Sequence, residues 1–383
     1  MQKLPENFET YDEKRQKGFI TMKNLKDKGQ RVVGTFCSFV PLEIIYAADA
    51  IPCGLCASSE EPIPDAESVL PANLCPLIKA SYGFALTDKC PYFYFSDIIV
   101  GETTCDGKKK MFELLNELKE TYVLQLPNGR DFPDALNSWR NEIIRFKEKL
   151  EDFYHITITE EDIKKAIKMK NRERDVLREY LELGKLCPVP ISGYEMGTLI
   201  DASSFSFDIE ERCRTTEKRT AEVRELWEKE FKGKESKRPR IMVTGCPNMG
   251  VRDKIIKNLE ELGADCVVID TCNGIRTQLD KVREDIDVYT ALAEKYLNVT
   301  CSVMSPNRPR FEEMGVLLDE FKVDAVVEIV LQACHTFNIE TYNVKRYVTE
   351  EKGLPYMSLE TDYSQSDKGQ ITTRLEAFLE MLM

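Results

Sequence analysis

Residues 325–331 read Ala-Val-Val-Glu-Ile-Val-Leu, apolar toward both faces apart from one glutamate. A strand of that kind cannot turn one side to water. It predicts a place in a parallel sheet covered by helices on both faces. Further short β-branched runs at 31–36, 97–100, 122–126, 240–244 and 266–270 read as strands. Longer stretches with helical spacing at 108–118, 253–262, 289–297 and 312–321 lie between them. Such alternation predicts an α/β fold of parallel sheets with flanking helices.

A chain of 383 residues exceeds one ordinary core and suits two domains. Residues 135–183 are mostly charged with helical spacing, and read as two long helices bracketing a turn at 155–159. The polar, basic stretch 232–240 reads as a linker before a new strand. The expectation is therefore an N-terminal α/β domain over 1–234, including the long helical segment, and a C-terminal α/β domain over 235–383. The two halves repeat a pattern of strand, cysteine, helix.

The hydrophobic content of 42% is that of a globular protein, and no apolar run approaches the ~20 residues that span a bilayer. The charged first residues carry no secretory signature, which predicts a cytoplasmic protein with no membrane partner. A net charge of −13 argues against nucleic acid.

Thirteen cysteines against two histidines is the unusual count. The odd number suits a disulfide framework poorly, so buried small hydrophobes or thiolate-bound metal remain, the latter meaning zinc or iron–sulfur clusters. Position favours metal. Cys37, Cys105, Cys246, Cys272 and Cys334 each follow a predicted strand, where ligands of open parallel sheets gather. Gly101, Gly107, Gly245 and Gly274 would allow close backbone approach to an anionic cluster. The helix starts expected near Lys108 and Ile275, together with Lys108-Lys109-Lys110, would favour ionised thiols. Cys75 and Cys301 lie in loops. Cys187, Cys213 and Cys266 read as packing, as does Cys90, while the lone Cys53-Gly-Leu-Cys56 suggests a redox pair or half a zinc site. No Walker A loop is present, and Pro247 spoils the superficial dinucleotide fingerprint at 243–250. His155 and His335 are the only candidates for a Cys–His hydrolase, and neither spacing supports one.

Gly34-Thr-Phe-Cys37, Asn73-Leu-Cys-Pro-Leu-Ile-Lys79, Gly101-Glu-Thr-Thr-Cys-Asp-Gly-Lys-Lys-Lys110, Leu331-Gln-Ala-Cys-His335, Glu360-Thr-Asp-Tyr-Ser364 and Arg374-Leu-Glu-Ala-Phe378 together resemble the 2-hydroxyacyl-CoA dehydratase component family, which includes benzoyl-CoA reductase subunits. Within it the chain looks most like the double-cubane cluster proteins. The resemblance implies a homodimeric iron–sulfur reductase. An [8Fe-9S] double cubane, held by six cysteines in the interdomain cleft, would reduce small-molecule substrates with electrons from a separate ATP-hydrolysing iron–sulfur activator. It implies Cys37, Cys75 and Cys334 for one cubane and Cys105, Cys272 and Cys301 for the second, with Cys246 competing for the second set. Glu102, Asp106 and His335 adjoin these positions and are candidate proton donors. Three readings compete with this one: a 2-hydroxyacyl-CoA dehydratase subunit with a single [4Fe-4S] cluster, a non-catalytic electron-transfer or cluster-storage protein, and a zinc-stabilised α/β protein.

Overall fold

The computed structural model describes residues 3–203, 205–272 and 274–382. Among the described residues, eight strands form two four-stranded sheets in which every pairing is parallel. The chain divides into two units, Met1–Lys170 with Val282–Val299, and Asn171–Lys281 with Thr300–Met383. The polar stretch 232–240 lies inside the second unit, between the helix Ile209–Glu230 and the next strand. Among the described residues, no helix is long and apolar enough to cross a membrane.

The first unit holds β1 (Arg31–Thr35), β2 (Ala50–Gly54), β3 (Ile98–Glu102) and β4 (Thr121–Leu124), in the order β2-β1-β3-β4. β3 is buried at all five positions, as expected of a strand covered on both faces. The run at 135–183 forms two helices, Ala135–Tyr154 and Glu160–Leu181, around the expected turn. The first buries Trp139, Ile143, Phe146 and Leu150, spaced to line one face. The helix Val288–Leu297, expected among the coverings of the C-terminal sheet, belongs instead to this first unit and packs along Ala135–Tyr154. Arg140 Nε donates to Asp287 at 3.1 Å, and Tyr296 Oη donates to Glu43 at 2.7 Å. Those partners lie some 150 or more residues away, so the chain's return to this unit leaves no local trace.

The second unit holds β5 (Arg240–Gly245), β6 (Asp265–Asp270), β7 (Ala325–Leu331) and β8 (Tyr356–Thr361), in the order β6-β5-β7-β8. β7 occupies the residues expected and is buried at all seven. Met242, Val268, Leu317, Phe321, Val326 and Val344 pack into the core beside it. Burying each such side chain contributes roughly 1.5–3 kcal/mol.

β2 and β8 escape sequence reading for related reasons. Both are edge strands, and β2 carries Pro52, which lacks an N–H for a ladder and ordinarily demotes a run. β8 is half-exposed and carries no β-branched run.

The two sheets share one topology. In each, the chain starts centrally, adds its second strand on one side and crosses to place the third on the other. The direction reverses between β1 and β3, and again between β5 and β7, and loops beyond such switch points are where open parallel sheets bind ligands.

Candidate metal centre

In the first unit β1 gives way to Cys37, which adopts a left-handed backbone with φ +58°. That conformation costs a residue bearing a Cβ roughly 1–2 kcal/mol, and such strain gathers where a side chain must be aimed. Cys37 Sγ accepts a hydrogen bond from Lys108 Nζ at 2.5 Å and lies 3.8 Å from Thr104 Oγ1. The same ammonium donates to Cys56 Sγ at 3.8 Å and sits 5.8 Å from the centre of the Phe36 ring. Lys108 is only 6% exposed. Burial opposes its charge, but Cys37, Cys56 and Glu102 outweigh that and hold its pKa well above the ordinary lysine value. The arrangement is that of a buried cation matched to thiolates.

Lys108 stands in the first turn of the helix Asp106–Leu118, whose N-cap is Cys105. Cys75 is likewise the N-cap of Pro76–Leu86, and Cys334 that of His335–Arg346. An N-cap residue ordinarily carries an oxygen that accepts from the first-turn N–H groups. None of these three cysteines makes a side-chain capping bond. Lys109 pairs with Asp106 and Lys110 with Glu113, both out in solvent. Of the three lysines expected to support the thiols, only Lys108 does so.

In the second unit Cys272, beyond β6, shares a side-chain hydrogen bond with Cys301. That bond, with the charge of Arg276, outweighs burial and lowers the Cys301 thiol to about 6. Beneath the pair lies a buried polar layer. Asp270, the last residue of β6, accepts from Arg276 Nε at 2.9 Å and from Thr244 Oγ1 at 2.7 Å. Arg310 is ion-paired to Asp270 at 3.5 Å and to Glu340 at 3.0 Å. Asn307 Nδ2 donates to the Cys301 carbonyl at 3.0 Å and to Glu340 Oε1 at 2.7 Å. Burial would raise the Asp270 pKa, yet the two guanidinium groups lower it to about 2. Sequence reading missed Asp270, Arg276, Arg310 and Glu340. The signal that was available is an aspartate ending a buried strand, with an arginine in the loop that follows.

Several expected features have other uses. The four glycines are held against protein atoms: a Cβ on Gly101 would come within 2.2 Å of the Phe112 ring, and Gly245, at φ +110°, lies against the Ile329 carbonyl. Gly107 and Gly274 are closed off similarly by Ile78 and Ile269. Ile275 opens only a three-residue 3-10 turn, too short for the helix N-terminus expected there. Cys246 Sγ accepts from the Leu331 N–H at 3.4 Å, and the residue is buried. Glu102 is buried and accepts from the Phe39 N–H at 2.8 Å, whereas Asp106 and His335 are exposed. The CxxC motif is split: Cys53 is buried in β2, its thiol pushed far up by burial and by Cys90, while Cys56 lies beside Lys108. Cys213 and Cys266 are buried, as expected of packing residues, whereas Cys187, expected to pack likewise, is exposed.

Two groupings result, Cys37 with Cys56 through Lys108, and Cys272 with Cys301. Among the described residues, no group of three or more His, Cys, Asp or Glu side chains is gathered as a metal site. In donor chemistry the thiols fit a thiolate-bound iron–sulfur group: Lys108 donates to both thiols of the first grouping, and the charge of Arg276, itself bound to Asp270, reaches Cys301 in the second.

A family model described as 2-hydroxyglutaryl-CoA dehydratase, D-component, matches residues 37–382. Over 379 residues the chain is 45% identical to the protein named "Putative dehydratase subunit YjiM" of Escherichia coli (strain K12), covering 99% of this chain and 98% of that one. It is 25% identical to the (R)-phenyllactyl-CoA dehydratase beta subunit of Clostridium sporogenes, covering 94% of each. With the (R)-2-hydroxyglutaryl-CoA dehydratase subunit beta of Acidaminococcus fermentans it shares 22% identity, over 93% of this chain and 94% of that one.

Proposed function

Because the chain belongs to the 2-hydroxyglutaryl-CoA dehydratase D-component family, as a dehydratase-type subunit, we propose that its strand-end thiols hold an iron–sulfur cluster that works at low potential. The observation that carries this reading is a buried cation matched to thiols: Lys108 donates to Cys37 and Cys56 together. A thiolate-bound cluster is anionic and needs such compensation when buried. The ligands would be drawn from Cys37, Cys75 and Cys105 in the first unit and Cys272, Cys301 and Cys334 in the second. Cys246 competes, although its thiol is already engaged by a backbone N–H.

When bound, the cluster supplies single electrons to a small-molecule substrate, delivered by a separate ATP-hydrolysing activator. The chain's own part is to keep the thiols ionised, to tune the potential through Lys108 and Arg276, and to exclude water with the apolar strands beneath. Glu102, Asp106 and His335 are the proton-donor candidates; Glu102 is buried, and Asp106 and His335 are exposed. The resemblance of the motifs to the double-cubane cluster proteins supports an [8Fe-9S] double cubane in a cytoplasmic homodimer. The relatives named as dehydratase beta subunits favour a second reading, a 2-hydroxyacyl-CoA dehydratase subunit with one [4Fe-4S] cluster.

Iron and acid-labile sulfide in anaerobically purified protein separate the two readings. About eight irons per chain supports the double cubane and about four the single cluster, whereas zinc without sulfide overturns both. Cys37→Ser and Cys334→Ser are expected to lose iron, and Cys187→Ser to keep it.

A further inference from the structure

The two units place their thiols in matching positions. Cys37 lies two residues beyond β1, and Cys246 one beyond β5. Cys105 and Cys334 each lie three residues beyond the third strand of their sheet, and each caps the helix that follows. Cys75 and Cys301 each fall in the crossover from the second strand to the third. The remaining position, two residues beyond the second strand, is held by Cys272 in the second unit and by Cys56 in the first.

We propose that Cys56 is an iron ligand of this chain, the first unit's counterpart of Cys272. The inference rests on the iron–sulfur reading above and adds a residue that the motifs did not supply. Two observations carry it independently of the repeat. Lys108 donates to Cys37 and Cys56 together, so one buried cation marks both thiols as members of one site. Cys56 is also half-exposed beyond the strand end, where a metal can reach it, while its CxxC neighbour Cys53 is sealed inside β2. The motif therefore works as a single ligand followed through the strand register: Cys53 pairs with Gly34 in the ladder, and the chain leaves the sheet after Gly54.

The test uses anaerobically purified full-length protein. Cys56→Ser is expected to fold like wild type by circular dichroism and to carry less than about half the wild-type iron and sulfide, the result also expected of Cys37→Ser. Cys53→Ala is expected to keep its iron. A second measurement needs no variant. In wild-type holoprotein Cys56 is expected to resist iodoacetamide until a chelator strips the iron, while exposed Cys187 labels before and after. Full iron and sulfide in Cys56→Ser, or equal labelling of Cys56 with and without iron, overturns the ligand assignment and leaves the iron–sulfur reading standing. Wild-type protein without iron or sulfide overturns both.

Discussion

Replacing Asp270 by asparagine tests whether the polar layer under Cys272 and Cys301 is held by charge. The carboxylate is buried between two guanidinium groups that are themselves buried, those of Arg276 and Arg310. Its pKa falls from 3.8 to about 2, and at ~1.4 kcal/mol per unit the fold prefers the charged form by about 2.5 kcal/mol. The amide also leaves Arg276 without its carboxylate partner and Arg310 with Glu340 alone, and breaking a buried pair costs about 3–5 kcal/mol. Asp270→Asn is therefore expected to lose about 3–5 kcal/mol at pH 7. The sign follows from the depressed value. The carboxylate's contribution is complete above its unfolded pKa and is lost as pH falls through about 2, so by pH 3 roughly half of the charge-linked part has gone. Urea titration followed by Trp227 fluorescence, in a Trp139→Phe background, reads the second unit alone, because Trp139 lies in the first. At a slope of about 2.5 kcal/mol per molar, the midpoint at pH 7 drops by about 1–2 M. An unchanged midpoint, or a gap between the variants that stays constant from pH 7 to pH 3, would refute the reasoning.

Two further predictions concern packing and pH. Gly101→Ala drives a methyl into the Phe112 ring and is expected to cost about 1–3 kcal/mol, read as a lowered melting temperature, whereas Gly54→Ala, with open space around it, leaves melting near wild type. Glu260, which accepts from the Gly193 and Tyr194 N–H groups, is pushed up to about 7, chiefly by burial. A raised folded value means stability that is present below pH 4.5 and is lost as pH rises to 7, by up to about 3 kcal/mol. Glu260→Gln should flatten that slope in urea midpoints taken across the range, and an unaltered slope would assign the dependence elsewhere.

What could be read from the chain alone was whatever is local. β7 declares itself because seven consecutive buried positions leave a continuous apolar run. The long helices Ala135–Tyr154 and Glu160–Leu181 do so by periodicity. Cys105 and Cys334 stand out because each lies three residues beyond a strand whose apolar run is plain in the sequence. Cys56 does not, since Pro52 disguises the strand before it. Lys108 was visible only as one of three adjacent lysines, and the helix phase that buries it and exposes Lys110 needs the tertiary packing. Arg310 lies 40 residues from Asp270, and no local pattern links a pair that only the fold brings together.

The shared parallel topology has an evolutionary consequence. Every strand of a sheet ends on the same edge, so each thiol position hangs from a loop while the apolar strands beneath carry the stability. Mutations that add, remove or relocate a cysteine along that edge leave the strand pairing undisturbed. A lineage built on this scaffold is thus free to change how many metal ligands it presents without having to reinvent its fold.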